Sequence, residues 1–220
     1  MKKDLTEIVF ILDRSGSMRG REKDTIGGFN SLIEKEKKEE GEAVVSTVLF
    51  SDYSTVIHNR IRIEDVPVMT EKEYFVTGST ALIDAVGDAV THIIRVHRNL
   101  SDEKRPEKTM FVIITDGMEN SSRRWSTSAV RALIEKEKTE YGWEFIYLGA
   151  NIDSVREAGG IGIDASHVTD YRSDSEGTRL SYQSVSRAVR SVRATRRLDS
   201  NWYQESRDYL KNGGGENGGN

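Results

Sequence analysis

Four short apolar runs, separated by segments with helical periodicity, constrain the fold of this chain most. The runs are Ile8 to Leu12, Ala43 to Phe50, Met110 to Ile114 and Phe145 to Ala150. Each has the length of a strand, and near-continuous hydrophobicity is typical of a strand covered on both faces. Strands that alternate with helices along a chain predict a doubly wound α/β sheet. We therefore expect a Rossmann-like, mostly parallel central sheet with helices on both faces.

Apolar residues recur at helical spacing between these runs and again near the carboxyl end. The positions are Ile26, Phe29 and Ile33; Leu82, Val86, Val90, Ile93, Ile94 and Val96; Val130, Leu133 and Ile134; and Leu180, Val185, Val189 and Val192. Residues three or four apart share one face of a helix, so each group predicts an amphipathic helix packed on the sheet.

Two further segments are predicted to be strands. Tyr53 to Ile63 begins with alternating apolar and polar residues and follows the second run after a tight turn at Ser51-Asp52. This pattern predicts an antiparallel edge strand. His167 to Thr169 predicts a short last strand.

Composition narrows the possible functions. The net charge of -4 gives no global electrostatic reason to bind nucleic acid. The absence of cysteine excludes disulfides, thiolate metal sites and cysteine nucleophiles. The apolar run before Asp13 is too short for a signal-peptide core or a membrane span, so we expect a cytoplasmic protein that does not contact a membrane.

Carboxylates and hydroxyls follow the ends of two predicted strands. Asp13, Ser15 and Ser17 come directly after the first run, and Asp116 comes just after the Met110 run. Ligands of doubly wound sheets bind outside the carboxyl ends of the strands, where the strand order reverses. We expect these four side chains to meet there, together with the hydroxyl of Thr80.

These five residues offer oxygen ligands without histidine or cysteine. Such a set favours a hard cation, Mg²⁺ or Mn²⁺ first and Ca²⁺ next, and disfavours zinc. Two carboxylates and three neutral hydroxyls would leave the metal electrophilic, with an open or water-filled position. A carboxylate from outside the chain could complete the coordination shell.

The three motifs resemble the metal-ion-dependent adhesion site (MIDAS) of von Willebrand factor A (VWA) domains. Asp13-Arg14-Ser15-Gly16-Ser17 matches the Asp-x-Ser-x-Ser pattern, Thr80 matches the threonine element, and Asp116 matches the second aspartate. The resemblance covers roughly residues 5–170. It implies a cation at the top of the sheet, to which a partner protein contributes an acidic side chain. It also implies a non-enzymatic adaptor of the intracellular, prokaryotic type.

The same reasoning sets the expected domain limits. We expect one domain over residues 1–200, with the metal-site core in 5–170 and a closing helix over about 178–198. Residues 201–220 are expected to form a tail, disordered from about 212 because the end of the chain is rich in Gly and Asn.

Local structural roles compete with the metal site. The Ser15-Gly16-Ser17 segment can be a turn, since Gly and Ser favour turns. Thr80 can cap the next helix, with Asp84 in its first turn. We expect Asp84 to support the helix or the site rather than to bind metal directly.

Two other functions also remain open. A metal-dependent phosphoesterase would use Asp13 beside Mg²⁺, although aspartate-nucleophile phosphatases have a second aspartate where this chain has Ser15. The chain could also be a structural subunit whose metal site is degenerate, with assembly carried by the last helix and the Trp125 loop.

Several surface residues have two interpretations each. Arg14 is expected either to pair with an acidic partner or to be solvated, and Trp125 either to anchor a partner or to cover the next helix. The last helix carries Arg187, Arg190, Arg193, Arg196 and Arg197. For these arginines a solvated face is favoured over nucleic-acid contact, because no stacking aromatics are interleaved with them.

Overall fold

Six strands form one sheet in the computed structural model, which describes residues 1–212. The strands are β1 (Lys2–Asp13), β2 (Glu42–Phe50), β3 (Ser54–Arg62), β4 (Pro106–Thr115), β5 (Glu144–Gly149) and β6 (Val168–Asp170). Their order across the sheet is β3-β2-β1-β4-β5-β6. β3 pairs antiparallel with β2, and the other pairings are parallel. The predicted doubly wound sheet with one antiparallel edge strand is confirmed.

Helices cover both faces of the sheet. They are α1 (Glu22–Glu36), α2 (Leu82–Asn99), α3 (Thr127–Tyr141), α4 (Ser154–Gly160), α5 (Ser175–Thr195) and α6 (Gln204–Asn212), with short 3-10 helices at Gly16–Met18, Ile63–Asp65 and Ala165–His167. α1 and α5 pack on one face, and α2, α3 and α4 pack on the other. Within residues 1–212, no helix combines the length and the hydrophobicity that a membrane span needs.

β1 divides the sheet into two halves and contributes to both hydrophobic cores. Ile8, Phe10 and Leu12 pack towards α1 and α5, whereas Val9 and Ile11 pack towards α2 and α3. This alternation follows from the two-residue repeat of a strand. The chain runs outwards from β1 to β2 and returns to pair β4 on the other side. The strand order therefore reverses between β1 and β4, where the sequence placed the site.

The closing helix lies three residues earlier than expected. α5 begins after Asp174, whose carboxylate accepts the backbone N–H of Gly177 at 2.7 Å as an N-cap. It ends at Thr195 and is followed by Arg196, which adopts a left-handed conformation with φ of 62°. Both boundaries depend on local capping, which apolar spacing does not reveal.

Residues 201–212, which were expected to begin a tail, pack against the rest of the domain. Trp202 is fully buried, and its indole N–H donates to the carbonyl of Ser166 at 3.3 Å. α6 follows and packs against α5. α6 and α4 carry too few apolar residues to be recognised by periodicity. The predicted disorder of the Gly/Asn end falls on residues 213–220, outside the described residues.

Four of the five arginines at the end of the chain's last long helix are exposed, as a solvated face requires, whereas Arg193 is the exception. Arg193 is buried and donates to the Glu36 carboxylate at 3.0 Å. It also donates to the carbonyls of Glu36 at 2.7 Å and Gly41 at 2.9 Å, so it satisfies the end of α1. Arg190 reaches Glu39 at 3.5 Å on the surface, and Arg187 reaches Asp199 at 2.8 Å.

Replacing Arg193 is expected to destabilise the fold strongly. Arg193→Met would leave the buried Glu36 carboxylate without its cation, a loss of about 3–5 kcal/mol in the free energy of unfolding. The matched change Arg190→Met breaks an exposed pair and should cost about 1 kcal/mol or less. Urea denaturation of both variants measures the difference, and equal stabilities would contradict the assigned role of Arg193.

The same pair predicts a pH dependence. Burial already raises the pKa of Glu36, and Arg193 opposes that rise. In Arg193→Met the folded-state pKa should rise further above its unfolded value, so the folded protein holds its proton to higher pH. The variant should therefore lose stability as the pH rises above about 4.5, and denaturation at pH 4 and pH 7 measures the loss.

Candidate functional site

Three hydroxyls from two loops meet at the end of β1. The Ser15 Oγ lies 2.9 Å from the Ser17 Oγ, and the Thr80 Oγ1 donates to the Ser15 Oγ at 3.0 Å. Ser15 and Thr80 are buried, whereas Ser17 is exposed. The predicted convergence of these three side chains is thus present, and it opens to solvent on the side of Ser17.

Asp13 holds the first loop in place. One carboxylate oxygen accepts the backbone N–H of Ser15 at 2.7 Å, and the other accepts the hydroxyl of Thr115 at 2.6 Å. Since Thr115 ends β4, the carboxylate ties together the two strands that flank the reversal. Burial raises the pKa of Asp13, and these hydrogen bonds oppose the rise. A nearby cation would favour the ionised form.

Backbone contacts bind three loops to one another. Gly16 donates to the carbonyl of Gly78 at 3.0 Å, which joins the β1 loop to the segment before α2. Thr80 donates its N–H to the Asn120 side chain at 2.9 Å, and the Asn120 N–H donates to the Thr80 carbonyl at 3.0 Å. Asn120 thereby connects the Thr80 segment to the loop after β4.

Gly117 faces the hydroxyls from the third loop. A Cβ at this position would lie 2.9 Å from both the Ser17 Oγ and the Thr80 Oγ1, and 3.6 Å from the Ser15 Oγ. Contacts this short do not occur for real side chains, so the close approach of this loop to the hydroxyls requires glycine. No side-chain atom of residue 117 therefore occupies the space beside the three hydroxyl oxygens.

Asp116 lies on the same loop, but its carboxylate contacts other residues. The Asn151 amide donates to one oxygen at 2.6 Å, and the Ser173 hydroxyl donates to the other at 2.8 Å. Arg21 in turn donates to the carbonyl of Ser173. Burial raises the pKa of Asp116, whereas Ser173, Asn151 and the charge of Arg21 lower it. Asp116 precedes Gly117, which lies against the three hydroxyls, but the Asp116 carboxylate makes its hydrogen bonds to Asn151 and Ser173 instead.

Sequence reasoning missed Asn151 and Ser173. Asn151 follows the fourth apolar run directly, so the strand-end argument that selected Asp13 and Asp116 could also have selected it. Ser173 lies in the polar loop before α5 and had no such signal. Its position depends on how that loop returns across the end of the sheet.

The residue types present fit a hard divalent cation. Within residues 1–212, no three His, Cys, Asp or Glu side chains form a group that could hold a metal. A metal at this position would therefore be held by the hydroxyls of Ser15, Ser17 and Thr80 together with carboxylates. Hydroxyl and carboxylate oxygens suit Mg²⁺, Mn²⁺ and Ca²⁺.

Neighbouring residues resolve several open interpretations. Thr80 does not cap α2, because the residue at the N-cap is Ala81, which makes no side-chain cap. Asp84 accepts the backbone N–H groups of Arg123 at 3.0 Å and of Trp125 at 2.8 Å, so it supports the loop after β4. Trp125 packs on α2, the helix before it in the chain, and not on the next helix as expected, since a Cβ at Gly87 would lie 2.6 Å from its ring.

Arg14 is buried, so the expectation of a solvated side chain is wrong, whereas pairing with an acidic partner protein stays a prediction. Its side chain is 3% exposed, and it donates to the Thr55 hydroxyl at 2.9 Å. The four histidines make hydrogen bonds outside the hydroxyl cluster. These bonds join His58 to Thr47, His92 to Asn59, His97 to Glu7 and His167 to Glu144.

Sequence similarity alone assigns no family, since this chain matches no family profile and no curated protein. Solved structures share its fold. Proximal thread matrix protein 1 from the mussel byssus matches with a TM-score of 0.57 and 17% identity, over 83% of this chain and 45% of that one. A von Willebrand factor type A structure from Catenulispora acidiphila matches with a TM-score of 0.57 and 14% identity, over 84% and 43%.

The chain has the von Willebrand factor A fold. The chain spans less than half the length of the two solved proteins that it matches. A further structure of the mussel protein is described as having a zinc-occupied MIDAS motif, and it matches with a TM-score of 0.53 and 17% identity, over 80% and 46%. Another protein with this fold therefore holds a divalent metal at that motif, although zinc was the ion disfavoured by the sequence.

Gly117 provides a test of the site. Gly117→Ala would place a methyl group 2.9 Å from two of the hydroxyl oxygens. We expect it to abolish stabilisation by added Mg²⁺, measured as the shift in melting temperature. Gly27→Ala is the matched control, because a Cβ there meets nothing within 4 Å. An unchanged shift in Gly117→Ala would show that the metal does not use this space.

Proposed function

We propose that this chain is a metal-dependent protein-binding module. A divalent cation held by Asp13, Ser15, Ser17, Thr80 and Asp116 would bind an acidic side chain of a partner protein. The observation that carries the proposal is the meeting of three hydroxyls, 2.9 and 3.0 Å apart, beside a loop that approaches them through glycine. The VWA fold and the metal-occupied MIDAS of a protein with that fold support it.

The donor set explains why the cation would bind a further ligand. Neutral hydroxyls compensate little of the charge of a divalent ion, and the carboxylates of Asp13 and Asp116 are engaged in hydrogen bonds to the protein. A carboxylate from a partner supplies the missing negative charge. We favour Mg²⁺ or Mn²⁺ over Ca²⁺ as the cellular ion. An adaptor role in the cytoplasm stays a prediction from the sequence.

Melting curves of the EDTA-stripped protein test the metal site. A ligand that binds only the folded state at a concentration of 100 times its Kd adds about 2.7 kcal/mol. For a chain of this length, that is a rise of about 5–10 °C in Tm. We expect Mg²⁺, Mn²⁺ or Ca²⁺ to give this rise in the wild type and in Ser31→Ala, which removes an exposed hydroxyl from α1. The same melting curves should be measured with added Zn²⁺.

Ser15→Ala removes the hydroxyl at the centre of the cluster and should lose the rise, because Ser15 contacts both Ser17 and Thr80. It is a cleaner variant than Asp13→Ala, since the Asp13 carboxylate also holds Thr115 and the loop. A shift that persists at full size in Ser15→Ala would contradict the proposed ligand set.

A phosphoesterase is the competing function, and the contacts of Asp13 argue against it. Asp13 is 1% exposed and both of its oxygens accept hydrogen bonds, so it is poorly placed to attack a phosphorus atom. We expect no Mg²⁺-dependent hydrolysis of p-nitrophenyl phosphate above background. Turnover that requires the metal and is lost in Asp13→Asn would instead establish an enzyme.

A further inference from the structure

Two exposed aromatic rings lie against Arg14, which adjoins the hydroxyl cluster in sequence. The guanidinium carbon of Arg14 is 4.8 Å from the ring centroid of Phe75 and 5.6 Å from that of Tyr53. The rings nevertheless remain exposed, with 47% of Phe75 and 58% of Tyr53 accessible to solvent. Exposed aromatic residues of this kind often anchor protein interfaces. Tyr53, Phe75 and Arg14 together form an aromatic rim.

Hydrogen bonds tie the backbone of the rim to the loop that follows β1. Tyr74 is fully buried and its hydroxyl donates to the carbonyl of Asp13 at 2.5 Å, which determines where the adjacent Phe75 emerges. The Arg14 N–H donates to the carbonyl of Phe50 at 2.8 Å, and its carbonyl accepts from Thr77 at 2.8 Å. Rings that are already positioned lose little conformational entropy when a partner binds.

The charge of Arg14 favours a particular kind of partner. Within residues 1–212 no carboxylate pairs with its guanidinium, and its Nε is buried without a hydrogen-bond partner. Its polar contact is with the neutral hydroxyl of Thr55. A buried cation without a counter-ion raises the local potential and attracts negative charge. The rim therefore combines apolar area with an unneutralised positive charge.

We propose that the aromatic rim docks a segment of a partner protein in which an apolar or aromatic side chain accompanies the metal-binding acid. This inference rests on the proposed function and specifies its partner. Arg14 precedes Ser15 directly, and an extended peptide advances about 3.3 Å per residue. The apolar side chain should therefore lie close to the acid in the sequence of the partner. It would pack on Tyr53 and Phe75 while the acid reaches the cation.

Selection from a phage library of random peptides tests this inference. The wild-type chain, loaded with Mg²⁺, should enrich sequences in which Asp or Glu has Trp, Tyr, Phe or Leu close to it in the sequence. The strongest synthetic peptide should bind Tyr53→Ser and Phe75→Ser about tenfold more weakly. Tyr141→Ser is the matched control, since Tyr141 is equally exposed at 55% but lies at the far end of α3.

The melting shift with Mg²⁺ distinguishes docking from damage to the site. Tyr53→Ser and Phe75→Ser should keep the wild-type shift. Acidic peptides without an apolar preference, or equal binding by the rim variants, would contradict the docking surface and leave the proposed function standing. Binding that persists in EDTA, or no enriched acidic peptide, would overturn both. A dimer of the free chain that dissociates in Tyr53→Ser would assign the rim to a second copy instead.

Discussion

The buried carboxylate of Asp13 is the point on which the candidate site depends. It accepts the Ser15 N–H at the end of β1 and the Thr115 hydroxyl at the end of β4, so one side chain joins both strands at the reversal of strand order. The loop that starts there carries Ser15 and Ser17, and its backbone is fastened to the segment before Thr80. Losing the carboxylate would therefore affect the loop geometry as well as any metal.

The remaining loops close around this point through polar side chains rather than apolar packing. Asn120 connects the Thr80 segment to the loop after β4, and Asp84 accepts three N–H groups of that same loop. Asn151 and Ser173 hold Asp116 from the other side. Loops built in this way cannot bury much apolar surface, so directional hydrogen bonds determine their shape. The result is a polar site at the end of the sheet.

Buried charge is distributed unevenly around the sheet. Glu7, in the middle of β1, is enclosed and contacts Arg60 and His97 at 2.7 Å each. Glu36 is matched by Arg193. Arg14, beside the site, has aromatic rings and a hydroxyl as neighbours instead of a carboxylate. Glu7 and Glu36 thus have cationic partners within the chain, whereas the polar contact of Arg14 is a neutral hydroxyl.

The sequence by itself determined the α/β class and the six strands, because two-sided burial and helical spacing leave a direct record in residue order. Its strand-end motifs predicted a site of five residues, of which the structure brings the hydroxyls of Ser15, Ser17 and Thr80 into contact. The sequence did not determine α6, the burial of Trp202, or the supporting contacts of Asn151 and Ser173. It also gave no sign that Arg14 would be buried between two rings. These features depend on which side chains meet across loops far apart in the chain, and only the tertiary structure decides that.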